Sequence, residues 1–185
     1  GKDVDIPHGA DRMLLRRPEH DTREPEARAF ARLVESVVAT YGGRIDTSDE
    51  GVVQALFGIS SVQENDPELA IRVALETHRL ARVRGLSVST GISTGAVYIS
   101  HTAGSLHPGL PLVGSVINLA HKLRGVAKGG SILASESTYR STRAAFRFSE
   151  HPVATEASGA PVNAFEVSGP FTVPRKTPEI ESRRT

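Results

Sequence analysis

The chain has 185 residues, of which 38% are hydrophobic and 23% are charged, and its 22 Lys and Arg nearly balance 21 Asp and Glu. These proportions are typical of a globular domain with one core, and the near-neutral charge argues against a nucleic-acid partner or adsorption to a membrane surface. The absence of cysteine excludes disulfides, thiolate metal sites and thiol nucleophiles. Because no apolar run approaches the about 20 residues that a membrane helix requires, we expect a cytoplasmic domain.

The first part of the chain predicts a short strand and then a helix. Residues 1–24 have an irregular pattern with one apolar trio at 13–15, which indicates a clipped strand of about four residues and a solvated lead-in. From Pro25 onward, apolar residues recur three and four positions apart, and Gly42 and Gly43 end this pattern. We therefore expect a helix that buries Phe30, Leu33, Val34, Val37 and Val38.

Two extended runs between Arg44 and Gly58 are separated by the segment TSDEG at residues 47–51. This pattern predicts a hairpin with a tight acidic turn. The sequence Asp66-Pro67-Glu68 is typical of the first turn of a helix, and the apolar residues after it follow helical spacing. Residues 86–98 alternate like a strand but contain Gly91 and Gly95. We therefore expect two antiparallel strands there, with a turn near residues 93–94.

Residues 101–111 contain two Pro and two Gly and predict a loop that leads into a helix over residues 112–126. At about 100° per residue, Ser115, Asn118 and Lys122 form one polar stripe beside the apolar face of this helix. Such a stripe is either an ordinary solvated edge or a set of groups that reach a ligand from a rigid backbone.

The C-terminal part predicts short elements and then a polar tail. We expect a strand at 131–134, a short helix at 135–143, a strand at 146–149 and a last edge strand at 161–167. The predicted organisation is a lead-in over 1–24, one domain over 25–168 and a flexible tail or linker over 169–185. The abrupt start and the tail suggest a piece of a longer chain. Strands and helices in this order predict an α+β fold, with an antiparallel-rich sheet covered by helices on one face.

Several segments, in this order, resemble landmarks of the catalytic domain of the class III nucleotidyl cyclases, the adenylate and guanylate cyclases. They are the helix ending in GG, the hairpin ending in ALFG, and the segments DPELAIRVAL, VSTGISTGAVYIS, LVGSVINLAHKLRGVAKGGSILAS and NAFEV. The resemblance extends from about residue 5 to residue 167. It implies a ferredoxin-like fold and a role in signal transduction. It also implies ATP or GTP as substrate and a pocket between two protomers, formed by a homodimer or with a partner cyclase-type domain.

The resemblance further implies two divalent ions, Mg or Mn, held by carboxylates of the first strand and of the hairpin turn, since hard cations prefer oxygen ligands. Asp5 matches the first metal position. An ungapped comparison places Gly51, which has no ligand, at the second position. With one extra residue in the turn, Glu50 takes this position, and Asp49 is a further candidate. The alternative is an acidic turn that binds no metal.

On the helix over residues 112–126, Asn118 matches the Asn that orients the ribose in this family. Lys122 stands where the family has Arg, and a lysine keeps the charge but loses the bidentate fork. The family positions that read the purine fall on Thr47 and Ser115, which have only small hydroxyl groups.

Three functions remain open from the sequence. The first is a cyclase homology domain that is weakly active or inactive because its metal, purine-reading and Arg positions are replaced. The second is an active cyclase that forms cyclic AMP or cyclic GMP with Asn118, Lys122 and the acidic residues above. The third is a nucleotide-sensing or dimerisation module that keeps the fold alone.

Overall fold

The computed structural model describes residues 8–16, 24–48, 52–59, 61–99, 112–153 and 162–171. Its helices are α1 (Glu24–Thr40), α2 (Asp66–Val83), α3 (Ser115–Val126) and α4 (Glu136–Thr142). Its strands are β1 (His8–Arg16), β2 (Arg44–Ser48), β3 (Val52–Phe57), β4 (Ser89–Ile99), β5 (Leu112–Val113), β6 (Ile132–Ser135), β7 (Phe146–Val153) and β8 (Val162–Pro170). None of the described helices is long and apolar enough to cross a membrane.

The strands form one sheet in the order β2-β3-β1-β4-β6-β8-β7, and β5 pairs with β4. Its first half has the chain order β1-α1-β2-β3-α2-β4, in which β1 pairs antiparallel with both β3 and β4. This arrangement is the ferredoxin-like βαββαβ unit. The parallel pair of β4 with β6 and the antiparallel strands β8 and β7 extend it. The predicted α+β class with an antiparallel-rich sheet is therefore confirmed.

Helices cover both faces of the sheet, so the prediction that they lie on one face is wrong. On β4, Ile92 joins the core that contains residues of α1 and α2, whereas Gly91 and Gly95 lie directly against α3. Successive side chains of a strand point to opposite faces, so α3 packs on the face away from α1 and α2. Separate small clusters of Leu123 with Leu133 and of Val116 with Val97 lie beneath α3.

The helices and the hairpin of the first half were predicted correctly. The apolar stripe of α1 packs into the main core, with Val38 fully buried. Gly42 has a φ of 75°, and the N–H of Gly43 donates to the carbonyl of Val38, as at a helix end that needs a left-handed residue.

The short helix α4 of the second half was also predicted. Ser135 caps it by accepting a hydrogen bond from the N–H of Thr138 at 3.3 Å.

Two strand predictions were wrong, and in each case long-range pairing is the reason. The first strand has nine residues rather than about four, because β1 is a central strand with a hydrogen-bonded neighbour on each side. Residues 86–98 contain one strand, β4, rather than a hairpin. Gly91 and Gly95 make room for α3 there, and they do not form a turn.

The second half also differs from the sequence prediction in its boundaries. Two residues of β5 precede α3, which begins only after Gly114. The strands β7 and β8 are longer than predicted, and β8 lies between β6 and β7 rather than at the edge. The predicted loop at 101–111 and the tail after residue 171 lie outside the described residues.

Candidate active site

The helix α3 presents the predicted polar stripe to solvent. Ser115, Asn118 and Lys122 are all exposed. The opposite side of α3 lies over β4 and reaches β1 and β6, and it buries Val116, Ala120 and Leu123. The side chains of the stripe therefore project from a backbone that tertiary packing holds in place, which suits groups that position a ligand.

The β2–β3 hairpin carries the second group of predicted residues. Asp49 and Glu50 lie outside the described residues, as does the side chain of Thr47. The backbone of Thr47 pairs with Val53, whose side chain packs against the core of α1 and α2. Paired residues of an antiparallel ladder share a face, so this register places Thr47 at a position of the α1 and α2 face.

A carboxylate that the sequence reasoning left out of its site occupies the other face of the hairpin. Asp46 pairs with Gln54, and the Nε2 of Gln54 donates a hydrogen bond to Oδ2 of Asp46 at 2.7 Å. Gln54 is buried, so its amide holds the half-buried carboxylate of Asp46 in one orientation on the face of α3. An isolated Gln in the otherwise apolar strand VVQALF, opposite an Asp, was the available signal.

The end of β1 that lies beside the hairpin turn is Arg16, which pairs with Val52 of β3 and with Ser89 of β4. At about 3.3 Å per residue, the start of β1 at His8 lies some 26 Å from this end. Asp5 precedes His8 in the chain and lies outside the described residues. Its role as a metal ligand stays a prediction.

The described residues do not by themselves fit a two-metal site. Among them, no three His, Asp or Glu side chains are grouped closely enough to hold a metal ion. Asp46, the described carboxylate that precedes the turn in the chain, is already hydrogen bonded to Gln54. The predicted metal ligands Asp5, Asp49 and Glu50 all lie outside this part of the chain.

Among the described residues, the α3 stripe and Asp46 belong to elements that are not neighbours in the sheet. The buried side of α3, opposite the stripe, lies over β4, whereas the hairpin consists of β2 and β3, and β1 lies between β3 and β4. At a strand spacing of about 4.8 Å, β3 is roughly 10 Å from β4 across the sheet. The helix α3 and Asp46 thus lie on the same face of the sheet, on elements that are separated by β1.

A buried histidine connects α2 with β4 on the face of the sheet opposite α3. The Nε2 of His78 on α2 lies 2.8 Å from Oγ1 of Thr90 on β4, and its ring also bonds the backbone of Gly130 in the turn after α3. Burial first of all, and also the charge of Arg82, lower the pKa of His78 to about 4 against the opposing effect of the Gly130 hydrogen bond. His78 is therefore neutral near pH 7 and has a structural role.

The fold closely matches solved nucleotidyl cyclases. The adenylyl cyclase CyaB from P. aeruginosa superposes with a TM-score of 0.76 at 18% identity, over 88% of this chain and 95% of that chain. The guanylate cyclase domain of RhGC from Catenaria anguillulae, solved in complex with GTP, gives a TM-score of 0.77 at 16% identity, over 89% and 98%. The guanylyl cyclase Cya2 gives 0.76 at 19% identity, over 93% and 97%. At such low identity, this likeness concerns the fold.

Comparison with curated protein sequences finds no significant match. The family model of the adenylate and guanylate cyclase catalytic domain, however, matches residues 58–164, a segment that includes α2, β4, α3 and β6. This segment is more than half of the 185 residues, and the chain therefore belongs to the family of adenylate and guanylate cyclase catalytic domains.

Proposed function

We propose that this cyclase homology domain acts in intracellular signal transduction and has weak cyclase activity or none. The observation that carries the proposal is Lys122, an exposed residue on α3 four positions after Asn118, where the family resemblance implies Arg. A lysine neutralises phosphate charge as a point charge, without the bidentate fork that orients a phosphoryl group. Loss of this control should affect rate more than binding.

The purine-reading positions support the same conclusion. Ser115 is exposed at the start of α3, and Thr47 pairs with a residue of the opposite core face. Neither hydroxyl specifies a purine edge in the way that a Lys and Asp pair does. We therefore propose that selection between ATP and GTP is relaxed.

We propose that Mg or Mn, if the domain binds metal, is held by Asp49 and Glu50 of the hairpin turn, with Asp5 as a ligand of a separate site. His8 lies some 26 Å from the end of β1 beside that turn, and three residues span at most about 11 Å. The described residues supply no complete ligand set. A divalent ion would neutralise phosphate charge there, but a site that needs Glu50 in a rearranged turn is a further reason to expect little turnover.

We also propose that the domain works as a homodimer or with a partner cyclase-type domain. Support comes from the separation of α3 and the β2–β3 hairpin across one face of the sheet. A similar fold, the guanylyl cyclase domain of the RhoGC fusion protein from Blastocladiella emersonii, is described as a non-canonical dimer in one structure and as monomeric in another. A partner surface would supply the groups that one chain keeps apart.

The direct test is an assay of the purified protein with ATP or GTP and Mn²⁺. We expect little cyclic nucleotide. Robust turnover that Asn118→Ala abolishes would contradict the proposal and favour an active cyclase. In a protein with measurable turnover, Lys122→Arg should raise the rate, whereas Lys128→Arg, a matched change at an exposed lysine outside the stripe, should not.

A nucleotide-sensing module is the second candidate, because Asn118 and Lys122 remain exposed together on a fixed helix. Calorimetric titration with ATP and GTP separates it from a pure dimerisation module. A sensor gives a heat of binding that Asn118→Ala reduces, and a dimerisation module gives none.

A further inference from the structure

The helix α3 lies so close to β4 that Gly91 has no room for a side chain. A Cβ atom at Gly91 would lie 2.2 Å from the carbonyl oxygen of Ala120 and 2.5 Å from the backbone nitrogen of Arg124. Both are main-chain atoms, which no change of rotamer can move. An alanine at position 91 therefore requires α3 to shift as a body or to distort.

Gly95 makes a second close contact of a different kind. A Cβ atom there would lie 2.6 Å from Cγ2 of Val116, and the next nearest atom is Cβ of the same valine at 4.0 Å. The obstruction is one methyl group of a side chain. Trimming Val116 should therefore make room at Gly95, whereas no side-chain change on α3 makes room at Gly91.

Ser93 lies between the two glycines on the same face of β4, since side chains two apart on a strand share a face. It is 1% exposed, and its hydroxyl has no hydrogen-bond partner among the described residues. A buried hydroxyl without a partner destabilises the fold, because its desolvation is not compensated. The contact of α3 with β4 is thus not optimised for stability alone.

The contact of α3 with β4 determines the position of the polar stripe relative to the sheet. Asn118 and Lys122 lie on the same 12-residue helix that is pressed against Gly91 and Gly95. Displacement of catalytic or binding groups by about 1 Å can cost a hundredfold in rate. We infer that Gly91 and Gly95 are positioning residues, which set the depth of α3 on the sheet and so the place of Asn118 and Lys122. The ligand-binding use of these two side chains rests on the proposed function, whereas the positioning does not.

The absence of cysteine allows a direct measurement of the position of α3. One nitroxide label is attached at Gly125→Cys, an exposed position of α3, and a second at Arg79→Cys, an exposed position of α2 on the other face of the sheet. In the folded protein, Gly91→Ala should lengthen the mean distance between the labels by at least about 1 Å, enough to restore ordinary contact distances of about 3.5 Å. An unchanged distance would overturn the inference.

The two glycines give opposite rescue predictions. Val116→Ala should return the distance of Gly95→Ala to that of the parent protein, whereas Ala120→Gly should not rescue Gly91→Ala, because the obstructing atoms there belong to the backbone. If Gly91→Ala does not fold, the inference is tested by comparing Gly95→Ala with the double variant that also carries Val116→Ala. Failure of Val116→Ala to restore the label distance then overturns the inference.

Two controls separate positioning from stability. Val38→Ala opens the core on the opposite face and should lower the melting temperature without changing the distance. Ser93→Ala removes the unpaired hydroxyl and should raise the melting temperature, also without changing the distance. A distance that follows melting temperature in all variants would show that the glycines are merely structural. The label distance decides this inference and the cyclase assay decides the proposed function, so each can fail alone.

Discussion

Gln54 holds the carboxylate of Asp46 through a hydrogen bond of 2.7 Å from Nε2 to Oδ2, across the ladder of β2 and β3. Gln54 is 3% exposed, so its amide has little access to water as an alternative partner. The pair places a negative charge of fixed orientation on the face of the sheet that α3 occupies.

The first prediction concerns this pair. Asp46→Ala should lower the free energy of unfolding by about 1–3 kcal/mol, because it leaves a buried amide without an acceptor. Asp46→Asn keeps an acceptor oxygen and should cost less. Urea unfolding of the three proteins at pH 7 measures the difference, and equal losses for the two variants would show that the hydrogen bond contributes little.

A second prediction follows from the exposure of Asn118. Since its side chain is exposed on α3, Asn118→Ala should change the free energy of unfolding by no more than about 0.5 kcal/mol. Any loss of nucleotide binding or turnover in this variant is then a loss of function and not of fold. Thermal unfolding monitored by circular dichroism checks this, and a large drop in melting temperature would place Asn118 among the structural residues.

The third prediction is a loss of stability in acid through His78. Its pKa is about 4 in the folded protein and 6.5 without the fold, so below pH 6.5 the unfolded chain takes up the proton more readily. The contribution of His78 is complete above pH 6.5 and decreases as the pH falls toward 4, by up to about 3 kcal/mol.

This can be measured by urea unfolding at pH 7.5 and pH 4.5. His78→Gln removes the titrating group, so the variant should lose less stability between the two pH values than the parent protein does. An identical pH dependence in both proteins would assign the acid sensitivity to other groups.

The fourth prediction concerns the cap of α4. Ser135→Ala removes the acceptor for the Thr138 N–H together with the hydrogen bond between the Ser135 and Thr138 hydroxyls, and it should cost at least about 1 kcal/mol. Ser141 offers a matched control, since its exposed hydroxyl donates only to the carbonyl of Ser137 within the helix. If Ser141→Ala lowers the melting temperature as much as Ser135→Ala does, the cap is not the cause.

Local patterns were enough to predict α1, α2, α4 and the β2–β3 hairpin. Apolar residues three and four positions apart predict a helix, and residues such as Gly42 or Asp66-Pro67 indicate where it ends or begins. The stripe of Ser115, Asn118 and Lys122 could be predicted for the same reason, because the helical repeat alone assigns each residue to a side. The hydrogen bond between Asp46 and Gln54 was not predicted, because their pairing depends on the register between two strands.

The sequence by itself determined the helical repeat, the hairpin and the order of motifs that indicates the cyclase family. Only the tertiary structure decided that β4 is one strand, that β1 is central and that α3 packs on the face away from α1 and α2. Glycine in a strand predicts a turn when only its own conformational freedom is considered. Glycine is required at position 91 for a different reason: a Cβ atom there would lie 2.2 Å from the backbone of α3 at Ala120. This contact joins residues 29 positions apart, and no local pattern contains it.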